Sequence, residues 1–514
     1  MKQYRSPFKS FLPPLLLVWL TLLSGGCAVL TGAAPPLDHH LSDTGQIGEC
    51  GRFFANLDGE VSEAGVRDWQ SKRVNGFPYL RTNRFLASFA DPSLSEPARN
   101  FWIDRLMELD HQARQAEIAN LPAETRARLT GPEGETDLIQ VVEECGDLLR
   151  QADFAANDHF SILLDQVAVA PDYSTMKSAL GLYPLTSLFV RLGVTQYQDK
   201  VYRTFDTPLA DLPVHGRLVH YLPPPETAPD ATEIAAILQE ASANPLGIPE
   251  PTPEQRQRLF LAYAPVWEVD TAGAYDRIGV PVLSENLLPD VDTTRPLVYT
   301  LLSHTRYQGE ILLQLNYVIW FPSRPLQGAL DILGGRLDGI IARVTLGRDG
   351  LPLFVDSIHN CGCYHKVYPG PGQEMRENQP KLEEPILVPQ PLPTMTPDDQ
   401  TVIRVTSVSH YIERIYLNNG TQPDLETFTY RFVPYEALRS LPLPDGGRHG
   451  LFGPGGIVPG TERTERWLLW LTGVPSPGAM RQWGNHAIAF FGRRHFDDPD
   501  LLERFFEPGR TLEP

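Results

Sequence analysis

Cysteine is scarce in this chain of 514 residues: there are five, alongside six methionines. So few thiols exclude a small scaffold held by dense disulfides, and the length leaves room for two or three domains with ordinary hydrophobic cores. An excess of positive charge is also missing. With 44 Lys and Arg against 63 Asp and Glu, the formal net charge is −19. That leaves no general attraction for phosphate backbones, so nucleic acid is not an expected partner. No His-Glu-x-x-His helix, no Gly-x-Ser-x-Gly elbow and no phosphate-binding loop ending in Lys-Ser/Thr occurs. Zincin, serine-hydrolase and P-loop chemistry therefore have no support in the sequence. There is no internal repeat either.

What is present reads first as an export signal. Lys2, Arg5 and Lys9 make a positive leader, and an apolar stretch from Phe11 to Leu23 follows. That stretch has the length of a signal-peptide apolar region and is too short to span a bilayer. It runs into Leu23-Ser24-Gly25-Gly26-Cys27, which resembles the lipobox of bacterial lipoproteins. Ser24 stands where that motif usually has Leu. The resemblance implies removal of residues 1–26 and diacylation of Cys27, and Ala28 in the following position implies outer-membrane sorting. An ordinary cut near Thr31-Gly32-Ala33-Ala34 is the alternative, and would leave a soluble periplasmic protein. Residues 27–47 read as a tether in which His39 and His40 are solvated. The expected partners are the membrane, through this anchor, and other envelope proteins or cell-wall components.

Four cysteines remain for an oxidising compartment, so pairing is the default expectation. Cys50 and Cys145 are natural partners flanking a helical region. Between Ser95 and Ala119, Phe101, Leu106, Leu109 and Ala113 recur at helical spacing, and from Glu135 to Gln151 a second amphipathic helix would point Cys145 inward. The apolar sequence from Tyr173 to Val194 reads as buried helix or as a surface that faces the envelope. Residues 48–222 are thus expected to be mainly helical.

A Pro-rich stretch at Leu222-Pro223-Pro224-Pro225 marks a boundary, and residues 223–290 read as a connector with short helices near 231–243 and 253–263. Residues 291–514 change to a strand signal. Segments 297–301 and 311–321 are rich in β-branched and aromatic residues, and 340–346 and 351–358 flank a hairpin turn at Gly347-Arg348-Asp349-Gly350. Residues 370–400, laden with Pro, are expected to form an exposed loop. A helical N-terminal part followed by a β-rich C-terminal part is the α+β class.

The most unusual local sequence is His359-Asn360-Cys361-Gly362-Cys363-Tyr364-His365. On a continuing strand, His359, Cys361, Cys363 and His365 would share one face but span about 20 Å, so a single four-ligand site requires a bend at Gly362. Thiolates and imidazoles of this kind suit Zn²⁺ or Cu⁺. A Cys361–Cys363 disulfide, a cysteine nucleophile assisted by histidine, and two free, buried thiols are the competing readings. Upstream, His304 and Glu310 could join His359 if their strand lay beside 351–358, giving a set able to bind a metal and activate water. The bland reading there is a hydrogen-bonded surface turn. Near the C-terminus Arg493 and Arg494 could clamp an anionic group, although pairing with Asp497, Asp498 and Asp500 is the more ordinary outcome. The first functional expectation is a binding or assembly component of the cell envelope. A metal-dependent hydrolase acting on envelope material and a thiol-disulfide protein centred on Cys361 and Cys363 stand as alternatives.

Overall fold

Ser95 sits in extended backbone and its side chain accepts a hydrogen bond from Ala98 N, with Pro97 in the first turn, so a helix starts there and runs from Glu96–Asn120. Its buried face carries Trp102, Ile103, Leu106 and Ala113. Asp137 caps the Leu138–Arg150 helix in the same way, through Ile139 N. Cys145 on that helix faces the core and is disulfide-bonded to Cys50 on the Gln46–Glu63 helix. The computed structural model that shows this describes residues 36–130, 137–156, 158–174, 176–177, 183–379, 383–418 and 425–509. Cys27 and its lipobox lie outside the described residues.

The helices close over a short hairpin, β1 (Lys72–Val74) and β2 (Phe77–Thr82). β2 places Arg81, which is fully buried, between acids of the Glu96–Asn120 helix. Its Nε donates to Asp110 Oδ1 at 2.9 Å and its Nη2 to Glu117 Oε2 at 2.8 Å. Arg114 completes the cluster with Asp110 and Asp58. Burial alone would raise the Glu117 carboxyl, but Arg81, Arg114 and Arg73 outweigh it and hold it at about 2. The tether reading needs correction here. Pro36–Ser42 is a helix, and His40 on it is buried with Nε2 2.9 Å from Asp153 Oδ1. A charged partner 113 residues away in sequence is what draws it inward.

The strands are mostly C-terminal, and the molecule is α+β. A five-stranded sheet takes β3 (Arg217–Leu222) and β4 (Val266–Thr271), with β13 (Thr401–Val405), β14 (Ile412–Leu417) and β15 (Glu426–Thr429), in the order β14-β13-β4-β3-β15. Residues 223–290 are therefore not a connector: β4 is buried along its whole length in the middle of this sheet. A small hairpin, β5 (Val280–Leu283) and β6 (Pro289–Asp292), follows. A second sheet of six strands comprises β7 (Leu297–Tyr307), β8 (Glu310–Arg324), β9 (Gly335–Leu346), β10 (Pro352–His359), β11 (Lys366–Pro369) and β16 (Arg431–Pro434), ordered β11-β10-β9-β8-β7-β16. The turn at 347–350 joins β9 to β10 as its Gly and Asp suggest. Between them, β12 (Gln373–Met375) pairs with 506–508.

Residues 370–400 also depart from expectation. Ile386, Leu387, Leu392 and Met395 are buried, and Val367 N donates to Leu387 O along the sheet edge. The segment covers the β11 edge, and its prolines suit it to that role because they leave few donors to satisfy. The two halves are joined by 480–498, where Gln482 Nε2 donates to Asp68 Oδ2 and Arg84 Nη1 to Asp497 Oδ1.

Candidate functional site

The segment 359–365 is a hairpin turn between β10 and β11. Gly362 takes φ +88° and Tyr364 φ +64°, and His359 N donates to Cys363 O at 3.0 Å. The bend at Gly362 exists, and a Cβ there would meet Ala487 O at 2.6 Å, so both the backbone angle and the space demand glycine. Yet the four alternating residues do not converge. His359 Nδ1 lies 3.3 Å from Asp338 Oδ1, His365 Nε2 lies 3.1 Å from Asp356 Oδ2, and the two cysteines are free, buried and adjacent, with Cys363 N donating to Cys361 Sγ at 3.4 Å. No three His, Cys, Asp or Glu side chains among the described residues are grouped to hold one ion. The Zn²⁺ site is corrected on this ground: each histidine is committed to its own carboxylate. The Cys361–Cys363 disulfide is not formed either.

His304 and Glu310 are not part of this region. β9 separates β8 from β10, and the row through His359 crosses Ile340 and Ile319. Glu310 lies nine residues back along β8, about 30 Å away at the usual strand rise, and pairs with Arg348 at 2.9 Å. His304 stacks on Phe85 and its Nε2 sits 2.8 Å from Pro249 O, where burial lowers it to about 4.

Beside the turn lies a cavity of about 510 Å³. Ile386, Leu387, Leu469, Val474, Ile488 and Phe490 give it a predominantly apolar wall. Cys361, Cys363, His365, Tyr197, Glu465 and Arg494 also line it. Three polar atoms of these lining residues are buried with no hydrogen-bond partner among the described residues: Tyr197 Oη, His365 Nδ1 and Arg494 Nε. Unpartnered buried polar groups each cost about 1–3 kcal/mol, and three of them belong to residues that line this cavity.

Their chemistry is specific. Arg343 holds the Asp356 carboxylate through Nε and Nη2 at 2.8 and 2.5 Å, and that carboxylate can only accept. His365 Nε2 therefore carries its proton toward Asp356, which leaves Nδ1 with an unpartnered lone pair. Burial lowers the imidazole despite Asp356, which favours the neutral form. Glu465 is only 4% exposed, and burial raises its carboxyl against the pull of Arg463. The Cys363 thiol is held well above its ordinary range by hydrogen bonding with Cys361 and by burial, so it is a poor nucleophile.

Behind the turn, buried Asp338 bridges His359 and His410, the latter through Nδ1 at 3.0 Å, and His410 Nε2 lies 3.2 Å from Asp276 Oδ1. Burial would raise the Asp338 carboxyl, but Arg463 and His359 bring it well below its usual range. This chain of acids and imidazoles braces the wall.

Of the sequence candidates, Cys361, Cys363, His365 and Arg494 meet at the cavity. Arg493 does not line it. Arg494 does not pair with the neighbouring aspartates: its Nη1 donates to Glu384 O at 2.8 Å, while Asp497 is taken by Arg84. Glu465 and Tyr197 were missed. An acid one residue before the apolar run Trp467-Leu468-Leu469-Trp470, with Arg466 between, was the available signal for Glu465. No protein-family model, curated protein or solved structure matches the chain.

Proposed function

We propose that this chain is a binding component of the cell envelope, and that the cavity beside the 359–365 turn takes a small, mostly apolar molecule with a hydrogen-bonding head. The observation that carries this reading is a mostly apolar lining that includes three residues with unpartnered polar atoms. Cavities of this size and lining are those in which small molecules lose most of their surface to water. The head must donate to His365 Nδ1 and accept from Arg494 Nε, which a hydroxyl or amide beside a carbonyl does. Glu465, its carboxyl raised by burial, can both donate and accept. The envelope address comes from the positive leader, the apolar stretch and the lipobox-like Cys27.

A metal-assisted hydrolase fits less well, because the histidines that would ligate the ion are held by Asp338 and Asp356. Thiol chemistry has one observation in its favour, the adjacency of two free thiols on the cavity wall. The test is saturation binding of a fluorescent alkyl amide to the full chain, with Glu465→Leu and Gly193→Phe variants. One site per chain, weakened in both, supports the reading. Unchanged binding in both would refute it.

A further inference from the structure

Large apolar side chains on a surface are ordinary when single and informative when clustered. Trp467 is 68% exposed, Leu468 61% and Trp470 38%, all within the Arg466–Leu469 helix and the turn after it. Leu468, Leu469 and Leu471 also line the cavity, so this short segment is cavity wall on one side and open surface on the other. Leu192, 62% exposed, stands next to Gly193 and Val194, which line the same cavity. Trp467, Leu468, Trp470 and Leu192 thus stand at or next to the lining of the cavity.

We propose that this rim seats the chain on a lipid bilayer, so that the cavity opens toward molecules dissolved in the membrane. The ligand source, and the preference for a bilayer over a protein partner, rest on the cavity reading above.

Two observations favour a bilayer as the occupant. Two of the rim residues are tryptophans, whose amphipathic rings settle at the membrane–water boundary. The Arg466 guanidinium lies 4.9 Å from the Trp467 ring centroid, which sets a cation at the level where lipid phosphates lie. A protein partner would bury the same tryptophans but would stopper the cavity, whereas a bilayer leaves it continuous with an apolar phase. No helix among the described residues is long and apolar enough to cross a membrane, so this contact is interfacial. With a net charge of −19 the attraction is apolar, and zwitterionic lipid serves.

The test uses the full chain with phosphatidylcholine vesicles whose acyl chains are brominated, which quench tryptophans at the membrane boundary. The chain has eight tryptophans, so the parent is compared with Trp467→Phe/Trp470→Phe, both first shown to melt alike. The expected result is that the quenched fraction of the emission falls at least twofold in the double variant. Equal quenching in both would overturn the proposal, since the N-terminal segment alone would then hold the chain to the vesicle. Loss of a dimer in lipid-free solution, with no quenching in the parent, would also overturn it in favour of a second copy at the rim. Gly193→Phe separates the two readings. Probe binding that survives this variant refutes the cavity site, and quenching that survives the tryptophan changes refutes the docking.

Discussion

Two groups of buried charge in this molecule behave in opposite ways. In the helical half, Arg81, Asp110, Arg114 and Glu117 close on one another within one helix and one hairpin. At the cavity, Arg494 and His365 each keep a polar atom without a partner although both side chains are buried. The first arrangement is what a fold does when charge serves its own stability, since removing one partner of a buried pair leaves the other uncompensated. The second is unfavourable in the protein alone and makes sense where a second molecule completes it.

That contrast is open to attack by substitution, beginning with the largest effects. Opening the Cys50–Cys145 bridge by double serine replacement should cost about 4–5 kcal/mol in the chain-entropy picture of a loop near 100 residues, read as a lowered denaturation midpoint. Arg81→Met should cost about 3–5 kcal/mol, because Asp110 and Glu117 are left buried without their cation. A midpoint shift below about 1 kcal/mol would mean the cluster is not holding the helical half.

The two acids should also titrate with opposite signs. Glu117 is held at about 2, below its unfolded value near 4.5, so its contribution is present above pH 4.5 and is lost as the pH falls toward 2, amounting to about 3 kcal/mol. Glu465 is raised, so the folded state holds its proton more tightly than the unfolded one. Its contribution is complete below pH 4.5 and declines as the pH rises through its folded value. Glu465→Gln should remove that decline, change stability by less than about 0.5 kcal/mol at acid pH, and weaken binding of the alkyl amide about tenfold, the worth of one hydrogen bond. A Glu465→Gln variant that unfolds would place the residue with Arg81 as a structural charge.

What could be read from the sequence divides along the same line. The Glu96–Asn120 and Leu138–Arg150 helices and the 347–350 turn rest on period or on neighbours, and the chain shows them locally, while the Cys50–Cys145 pair, 95 residues apart, followed from counting an even set of cysteines. The partners of His40, His359 and His365 do not follow from spacing. Asp153 lies 113 residues from His40, Asp338 lies 21 from His359, and Arg343, which fixes Asp356, comes from the neighbouring strand. The alternating His and Cys pattern was visible, but its meaning changed once each imidazole met a carboxylate from another part of the sheet. β4 was hidden for a related reason: its polar residues Glu268 and Asp270 interrupt the apolar run, and only in the sheet do they find His220, Arg404 and His215.

The central claim is that the cavity is a ligand site, and Gly193 offers the most direct test of it. A Cβ at this position would meet open space, and replacing glycine in the Tyr183–Asp206 helix removes a helix-weakening residue. Gly193→Phe in the full chain should therefore melt at or above the parent temperature while binding the fluorescent alkyl amide at least tenfold more weakly. Equal affinity in a folded Gly193→Phe protein would contradict the account.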